Sequence, residues 1–273
     1  MSTSTTCYRH PNRLTGARCT RCGRSICPDC MIVAPVGHHC PECVREANQG
    51  LRQVRSAVSD PLAVKVLIGL NVLFYMGQQS DITITRRFGM VPDEVANGQV
   101  YRMLTAAFLH ASITHILFNM LALWIVGPAL ENALGKVRFV ALYIGAALGG
   151  SLCSYFLDNP RVLGVGASGA VFGAFGAYFV VARAHRIDAR QVVGLIVVNL
   201  LIGFVVPGID NWAHIGGLIA GGALAYAFIA TEPLDAPRRR AAQIAAVALL
   251  AGAIVLLTAV RTSQLTTAVG LPF

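Results

Sequence analysis

The amino-acid sequence predicts an all-α polytopic membrane protein of seven spans, preceded by a small cysteine-rich module. Three observations carry that prediction. Of 273 residues, 55% are hydrophobic and only 13% are charged, about half the charged share of a soluble domain. Apolar runs approaching the roughly 20 residues needed to cross a bilayer recur from Pro61 to Val260. Seven of the eight cysteines precede residue 44. The net charge of +9 suggests nucleic acid at first glance. Its distribution argues otherwise, because the basic residues sit in the N-terminal segment and in particular short loops, where they encode topology. No nucleic-acid partner is expected. The polar first sixty residues also lack the apolar stretch of a secretory signal.

Within the module, residues 1–45, four knuckles share a two-residue gap: Cys7 and His10, Cys19 and Cys22, Cys27 and Cys30, Cys40 and Cys43. Such a gap turns two side chains toward one tetrahedral ion, so eight ligands suffice for two structural Zn2+ ions. Interleaving is the expected pairing, with Cys7, His10, Cys27 and Cys30 on one ion and Cys19, Cys22, Cys40 and Cys43 on the other. Sequential pairing stays open, His38 or His39 could replace Cys40, and His10 could be a bystander. A disulfide scaffold would need an oxidising compartment, whereas the loop charges put this segment inside the cell. The pattern resembles a B-box-type finger. A module this small has little core, so the metal would supply most of its folding energy. It carries no catalytic residue for ubiquitin transfer, and docking a protein partner or self-association is the expected role.

Residues 46–60 read as a basic linker with Arg52 and Arg55 set to meet anionic headgroups. Asp60 and Pro61 read as N-cap and first helical residue of span one, which runs to about Met76. Residues 77–112 make a loop too long for a mere turn, hence a structured or half-inserted element. Further spans follow at Ile113–Ala133, Val137–Leu157, Leu163–Ala182, Val192–Val206, Trp212–Ala230 and Ala241–Val260. Lys136 and Arg138, then Arg183, Arg186 and Arg190, then the Arg238–Arg240 run occupy alternate loops, and the opposite short loops hold only Arg161. The positive-inside rule makes the N-terminus and the basic loops cytoplasmic. Arg86, Arg87 and Arg102 run against the bias, in a loop long enough to weaken it.

With that topology, spans two, four and six enter from the outer face, each with an expensive polar group near its start. Span two has His115 and Asn119, an i, i+4 pair on one face. Span four has Ser168 and span six His214. Polar side chains at bilayer depth usually face a cavity and do chemistry. Ser beside His is the minimal nucleophile and base, the imidazole taking the hydroxyl proton and returning it to the leaving amine. His115, Asn119 and the Ser168 backbone N–H can stabilise the oxyanion, and the cavity must open to water. Asp210 reads as the N-cap of span six rather than a third catalytic member, so a dyad is predicted. Gly166, Gly169, Gly173 and Gly176 give span four a nearly bare stripe for close helix contact. His110 reads as a loop hydrogen-bonding residue and Cys153 as packing.

These residues carry a specific resemblance. Gly166-Ala167-Ser168-Gly169 resembles the rhomboid G-x-S-G motif, His110 through His115 to Asn119 the family's H-x4-H-x3-N signature, and Ala213-His214-Ile215-Gly216-Gly217 its A-H-x-x-G motif. The resemblance covers residues 61–230. It implies a rhomboid six-helix core at 61–232 plus an added helix and tail at 233–273, the 6+1 arrangement. It also implies an intramembrane serine endopeptidase that cuts transmembrane segments of other proteins in a bacterial plasma membrane. Ser168 would be nucleophile and His214 general base and acid, His115 and Asn119 matching oxyanion positions. Gly217 would let the two catalytic helices approach. Two departures stand out: Tyr101-Arg102 replaces the usual Trp-Arg, and Phe172 replaces a Tyr beneath the catalytic His. The alternatives weighed are a catalytically silent relative that binds or escorts membrane clients, which would lack Ser or His, and a transporter, which would show inverted repeats.

Overall fold

A computed structural model describes residues 5–34, 36–47 and 60–269. The chain divides into two compact units, Met1–Asp60 and Pro61–Phe273. The expected headgroup contacts of Arg52 and Arg55 fall outside the described residues, as does the tail beyond residue 269.

The first unit is built from two short antiparallel hairpins. Strand β1 (Thr5–Thr6) pairs with β2 (Leu14–Thr15), and β3 (Ile32–Val33) pairs with β4 (His38–His39). A 3-10 turn at Pro28–Cys30 and a helix α1 at residues 41–47 complete it. Its buried cluster consists of Ile26 and six cysteines. Sulfur, not hydrocarbon, fills this core.

Among its described residues the second unit is built from helices joined by turns and short irregular segments. Helix α2 (Leu62–Ser80) is followed by α3 (Ile82–Phe88), α4 (Pro92–Ala96), α5 (Arg102–Thr105) and a 3-10 turn at Ala106–Phe108. The expected structured loop is thus a run of short helices. Arg102, buried at its centre, donates from Nη1 to the carbonyls of Arg86 and Gly89 at 2.7 Å each. One basic side chain therefore satisfies backbone acceptors that the turns leave free.

The remaining elements are α6 (Ile113–Leu134), α7 (Lys136–Leu157), α8 (Ser168–Ala184), α9 (Arg190–Val205), α10 (Asn211–Ala230) and α11 (Ala236–Val269). Five of the seven long helices are long and apolar enough to cross a membrane, while α8 and α9 are shorter apolar helices. Several boundaries differ from expectation: α8 starts at Ser168 rather than Leu163, α2 ends at Ser80 rather than Met76, and α11 ends at Val269 rather than Val260. Helix α2 starts at Leu62 with Pro61 in the N-cap position and no side-chain cap of its own. Instead Glu131, buried in α6, accepts from the N–H groups of Ala63 and Val64 at 3.1 and 3.0 Å, a carboxylate on a helix N-terminus supplied from another helix. Helix α11 starts five residues early and takes Arg238–Arg240 into its first turns rather than leaving them in a loop.

Helix α10 packs against α7 and α8 through residues without bulk. A methyl at Gly217 would overlap the Gly169 carbonyl oxygen, one at Gly221 the Gly173 carbonyl, and one at Gly216 the Gly149 carbonyl. The helices touch backbone to backbone, the packing that membranes favour when apolar burial gives no preference for protein over lipid.

Candidate functional site

Four residues before α8 the chain is not helical. Gly164 pairs with Met90 through two backbone bonds of 2.9 and 2.8 Å, and the Gly166 N–H donates to the Ala106 carbonyl at 3.0 Å. Gly166 has φ +146°, a conformation that L side chains rarely adopt. It therefore stands outside the helical glycine stripe in which the sequence reading put it. Its second role is steric. An added Cβ would lie 2.8 Å from Cε1 and 2.9 Å from Nε2 of His115, and 3.5 Å from Ser168 Oγ. The bare glycine is what lets the imidazole of α6 and the hydroxyl of α8 share one space.

Ser168 is the first residue of α8, so its backbone N–H belongs to the unsatisfied first turn, where the helix dipole favours negative charge. His115 sits in the first turn of α6, its N–H bonded to the N-cap hydroxyl of Ser112 at 3.2 Å. Its Nδ1 accepts a long bond of 3.5 Å from the Ala111 N–H. A ring bonded in this way carries its proton on Nε2, and the Cε1 and Nε2 edge faces Gly166. Asn119 donates Nδ2 to the His115 carbonyl at 3.0 Å, so its amide is engaged with its own helix.

His214 lies one turn into α10, buried, with no partner for Nδ1. Its ring stacks on Phe172 at 4.1 Å between centroids and 5° between planes. Phe172 is four residues after Ser168 on α8, so the same helical face carries hydroxyl and stacking ring. Asp210 caps α10 by accepting from the Ala213 N–H at 2.8 Å, and its other oxygen accepts from Ser154 Oγ at 2.6 Å. It makes no bond to the His214 ring.

Behind Ser168 lies a cavity of about 40 Å³ lined by Met90, Ala106, Ser151, Ser154 and Asp210, roomy enough for one to about three waters. The sequence reading missed Ser151 and Ser154, as well as Glu131. An i, i+3 serine pair beside Gly149 and Gly150, and a lone carboxylate within a span, were the available signals. His110 is almost fully buried, with neither ring nitrogen bonded, edge-on to His115 at 5.2 Å. The loop hydrogen bonds at this position are made by its backbone with Gln78: N–H to Oε1 at 2.9 Å and carbonyl from Nε2 at 3.3 Å. The ring takes no part in them.

In the first unit, Cys7, His10, Cys27 and Cys30 form one group and Cys19, Cys22, Cys40 and Cys43 another, the ligand atoms of each within 4.8 Å of one another. A tetrahedral Zn2+ with the usual bond lengths requires edges of about 3.8 Å between sulfurs and about 3.6 Å between nitrogen and sulfur. Cys19 and Cys43 are 3.8 Å apart, Cys22 and Cys40 3.7 Å, and His10 Nδ1 lies 3.2 to 3.8 Å from its three sulfurs. The residues fit such an ion. All eight cysteines are free thiols, so no disulfide framework competes. His38 and His39 lie in β4, outside both groups. Burial acts upward on the Cys7 and Cys19 thiols, yet hydrogen bonds, chiefly from backbone groups, outweigh it and lower each pKa to about 6. Burial and neighbouring sulfurs push Cys30 up to about 11 and Cys43 to about 12. Thiolates this close together all ionise only around a cation.

Comparison with known proteins bears on the second unit. A family model of the Rhomboid domain matches residues 97–231, a span that contains Ser168, His214, His115 and Asn119. The chain is 41% identical over 150 residues to rhomboid protease GluP of Bacillus subtilis (strain 168), covering 53% of this chain and 28% of that protein. It is 36% identical over 137 residues to YdcA of the same organism, a rhomboid by name, covering 48% of this chain and 69% of YdcA. Rhomboid protease AarA of Providencia stuartii is 31% identical over 161 residues, 57% of its length. The chain thus spans well under two thirds of GluP and AarA.

Proposed function

The chain belongs to the rhomboid family, and from that premise we propose that it is an intramembrane serine endopeptidase acting on transmembrane segments of other membrane proteins. Two observations support the proposal: the His115 ring and the Ser168 hydroxyl lie about the bare Gly166, and His214 stacks on Phe172, four residues after Ser168 on α8. In the reaction, Ser168 Oγ attacks the scissile carbonyl while a nitrogen of His214 takes its proton. The oxyanion is met by His115 Nε2–H and the Ser168 N–H, with Asn119 joining if its amide leaves the His115 carbonyl. The tetrahedral intermediate collapses, the C–N bond breaks, and the imidazolium proton goes to the departing amine. Water then attacks the acyl ester with His214 again as base, releasing the acid and the free hydroxyl. Stacking holds the His214 ring in one plane through both proton transfers.

We assign the two Cys/His groups to structural Zn2+, with Cys7, His10, Cys27 and Cys30 on one ion and the other four cysteines on the second. The ions hold the module folded and take no part in peptide hydrolysis. The N-terminal module and the basic loops face the cytoplasm by the positive-inside rule, and the site opens to the outer side of a bacterial plasma membrane. The test is labelling with a fluorophosphonate and cleavage of a model transmembrane substrate. Wild type should label and cleave, Ser168→Ala should do neither, and His214→Ala should lose cleavage. Cleavage that survives Ser168→Ala would refute the assignment, and client binding without cleavage in the wild type would favour an escort.

A further inference from the structure

Loop one, residues 81–112, holds the nucleophile loop by backbone bonds, and α11 in turn holds loop one. The first link is the Met90–Gly164 pair, the Gly166 to Ala106 bond, and the Asp93 N–H donating to the Pro160 carbonyl at 3.0 Å. The second link is a buried cluster in which Met90, Val95, Met103 and Ala106 of loop one meet Tyr155 of α7 and Ile254 of α11, with Leu265 packed against it. Thr258 Oγ1 of α11 contacts Met103 Sδ at 3.7 Å, and the Met103 carbonyl accepts from Ser151 Oγ at 2.6 Å. The third link is a polar latch. Tyr155 OH and Thr262 Oγ1 are hydrogen-bonded at 2.8 Å, and Arg261 Nε donates to the Tyr155 carbonyl at 3.2 Å.

Length explains why α11 can do this. Its 34 residues extend about 51 Å, against about 30 Å of hydrocarbon. The surplus carries Arg261 and Thr262 to Tyr155 near the end of α7, and Leu265 to the cluster that loop one shares. The other end of the same helix is held separately, by Gln243 Nε2 donating to Thr231 Oγ1 at 3.0 Å and to the Phe228 carbonyl at 3.3 Å. The family match ends at residue 231, so this brace is an addition to the matched core.

We propose that the C-terminal end of α11 is a brace that sets the nucleophile loop, with Tyr155 and Thr262 as positioning residues for Ser168. The inference rests on the protease reading for its catalytic consequence but not for its structural one. Its test therefore has two readouts on the full chain in lipid nanodiscs: the fluorophosphonate labelling rate of Ser168 and amide hydrogen exchange at residues 164–167. Tyr155→Phe and Thr262→Val should each slow labelling about three- to tenfold and speed exchange at Gly164 and Gly166. The double variant should match the singles rather than multiply them, because both remove one bond. Thr262→Ser should restore the wild-type rate, and Gln243→Leu, at the far end of α11, should leave both readouts unchanged. Wild-type labelling and exchange in Tyr155→Phe and Thr262→Val would overturn the brace, as would equal slowing by Gln243→Leu. A wild type that does not label would overturn the protease reading alone, and exchange would still decide the brace.

Discussion

The two units of this chain are held together by opposite means. In the first, side chains do nearly everything: six buried cysteines and Ile26 make the core, and two clusters of ligands hold strands only two residues long. In the second, the decisive contacts are made where side chains are missing. Gly217 lies against the Gly169 carbonyl and Gly221 against the Gly173 carbonyl, so α8 and α10 meet through their backbones. With the proposed ions bound, the first unit concentrates its stability in a few ligands and fails when one is lost. A glycine-packed bundle spreads its stability over an interface and fails when atoms are added.

The sharpest break should come from the module. A strong chelator, or Cys40→Ser, is expected to unfold residues 5–47, since structural zinc in small fingers is worth about 10–16 kcal/mol. Metal content by mass spectrometry should fall, and amide exchange across the module should become fast. Fluorophosphonate labelling of Ser168 should persist. Labelling lost together with the metal would mean that the two units are not independent in this way.

The converse break adds atoms to the bundle. Gly217→Val should cost about 3 kcal/mol or more, because the backbone of α8 cannot yield to the new side chain as a flexible neighbour could. Ser168 labelling should fall by about 100-fold or more. Gly222→Ala is the control, since its methyl would meet only the Gly176 carbonyl group at 3.8–3.9 Å, an ordinary contact. Equal losses in both would show that the interface does not depend on backbone contact.

The same contrast governs what was legible in the sequence. The eight ligand candidates stood out because a metal imposes a spacing on neighbouring residues, and spacing is local. Ser168, His115 and His214 were visible because hydroxyl and imidazole are expensive in an apolar span. Glu131 should have been visible for the same reason. What could not be read was contact at a distance: that Gly166 leaves helical conformation to admit the His115 ring, or that α11 reaches Met103. The start of α2 was misjudged where another element supplied the cap. Asp60 was a reasonable N-cap for α2, but the carboxylate that accepts from its first N–H groups comes from α6.

That borrowed cap gives a smaller and more local effect. Glu131→Leu leaves the N–H groups of Ala63 and Val64 buried without an acceptor, which should cost about 1–3 kcal/mol. Glu131→Gln keeps one acceptor oxygen and should lose less. Unfolding in mixed detergent would read the difference, with α2 exchanging first. If the Leu variant were as stable as wild type, the cap would be satisfied by other groups and the coupling of α2 to α6 would lie elsewhere.

The smallest expected effect concerns the stacked ring pair at the site. Phe172 and His214 stack at 4.1 Å and 5°, and an aromatic pair is worth about 0.5–1.5 kcal/mol beyond its area. Replacing Phe172 with Leu keeps the apolar volume and removes the flat partner, so the imidazole gains freedom to tilt. The rate of substrate cleavage should drop about two- to tenfold, in kcat rather than KM, because the ring acts on proton transfer and not on substrate binding. Phe172→Tyr preserves the plane and should stay within about twofold of wild type. A Leu variant with unchanged kcat would mean that the backbone-to-backbone contact of α8 and α10 alone fixes His214, extending to the proposed base the rule that this unit is organised by what its residues lack.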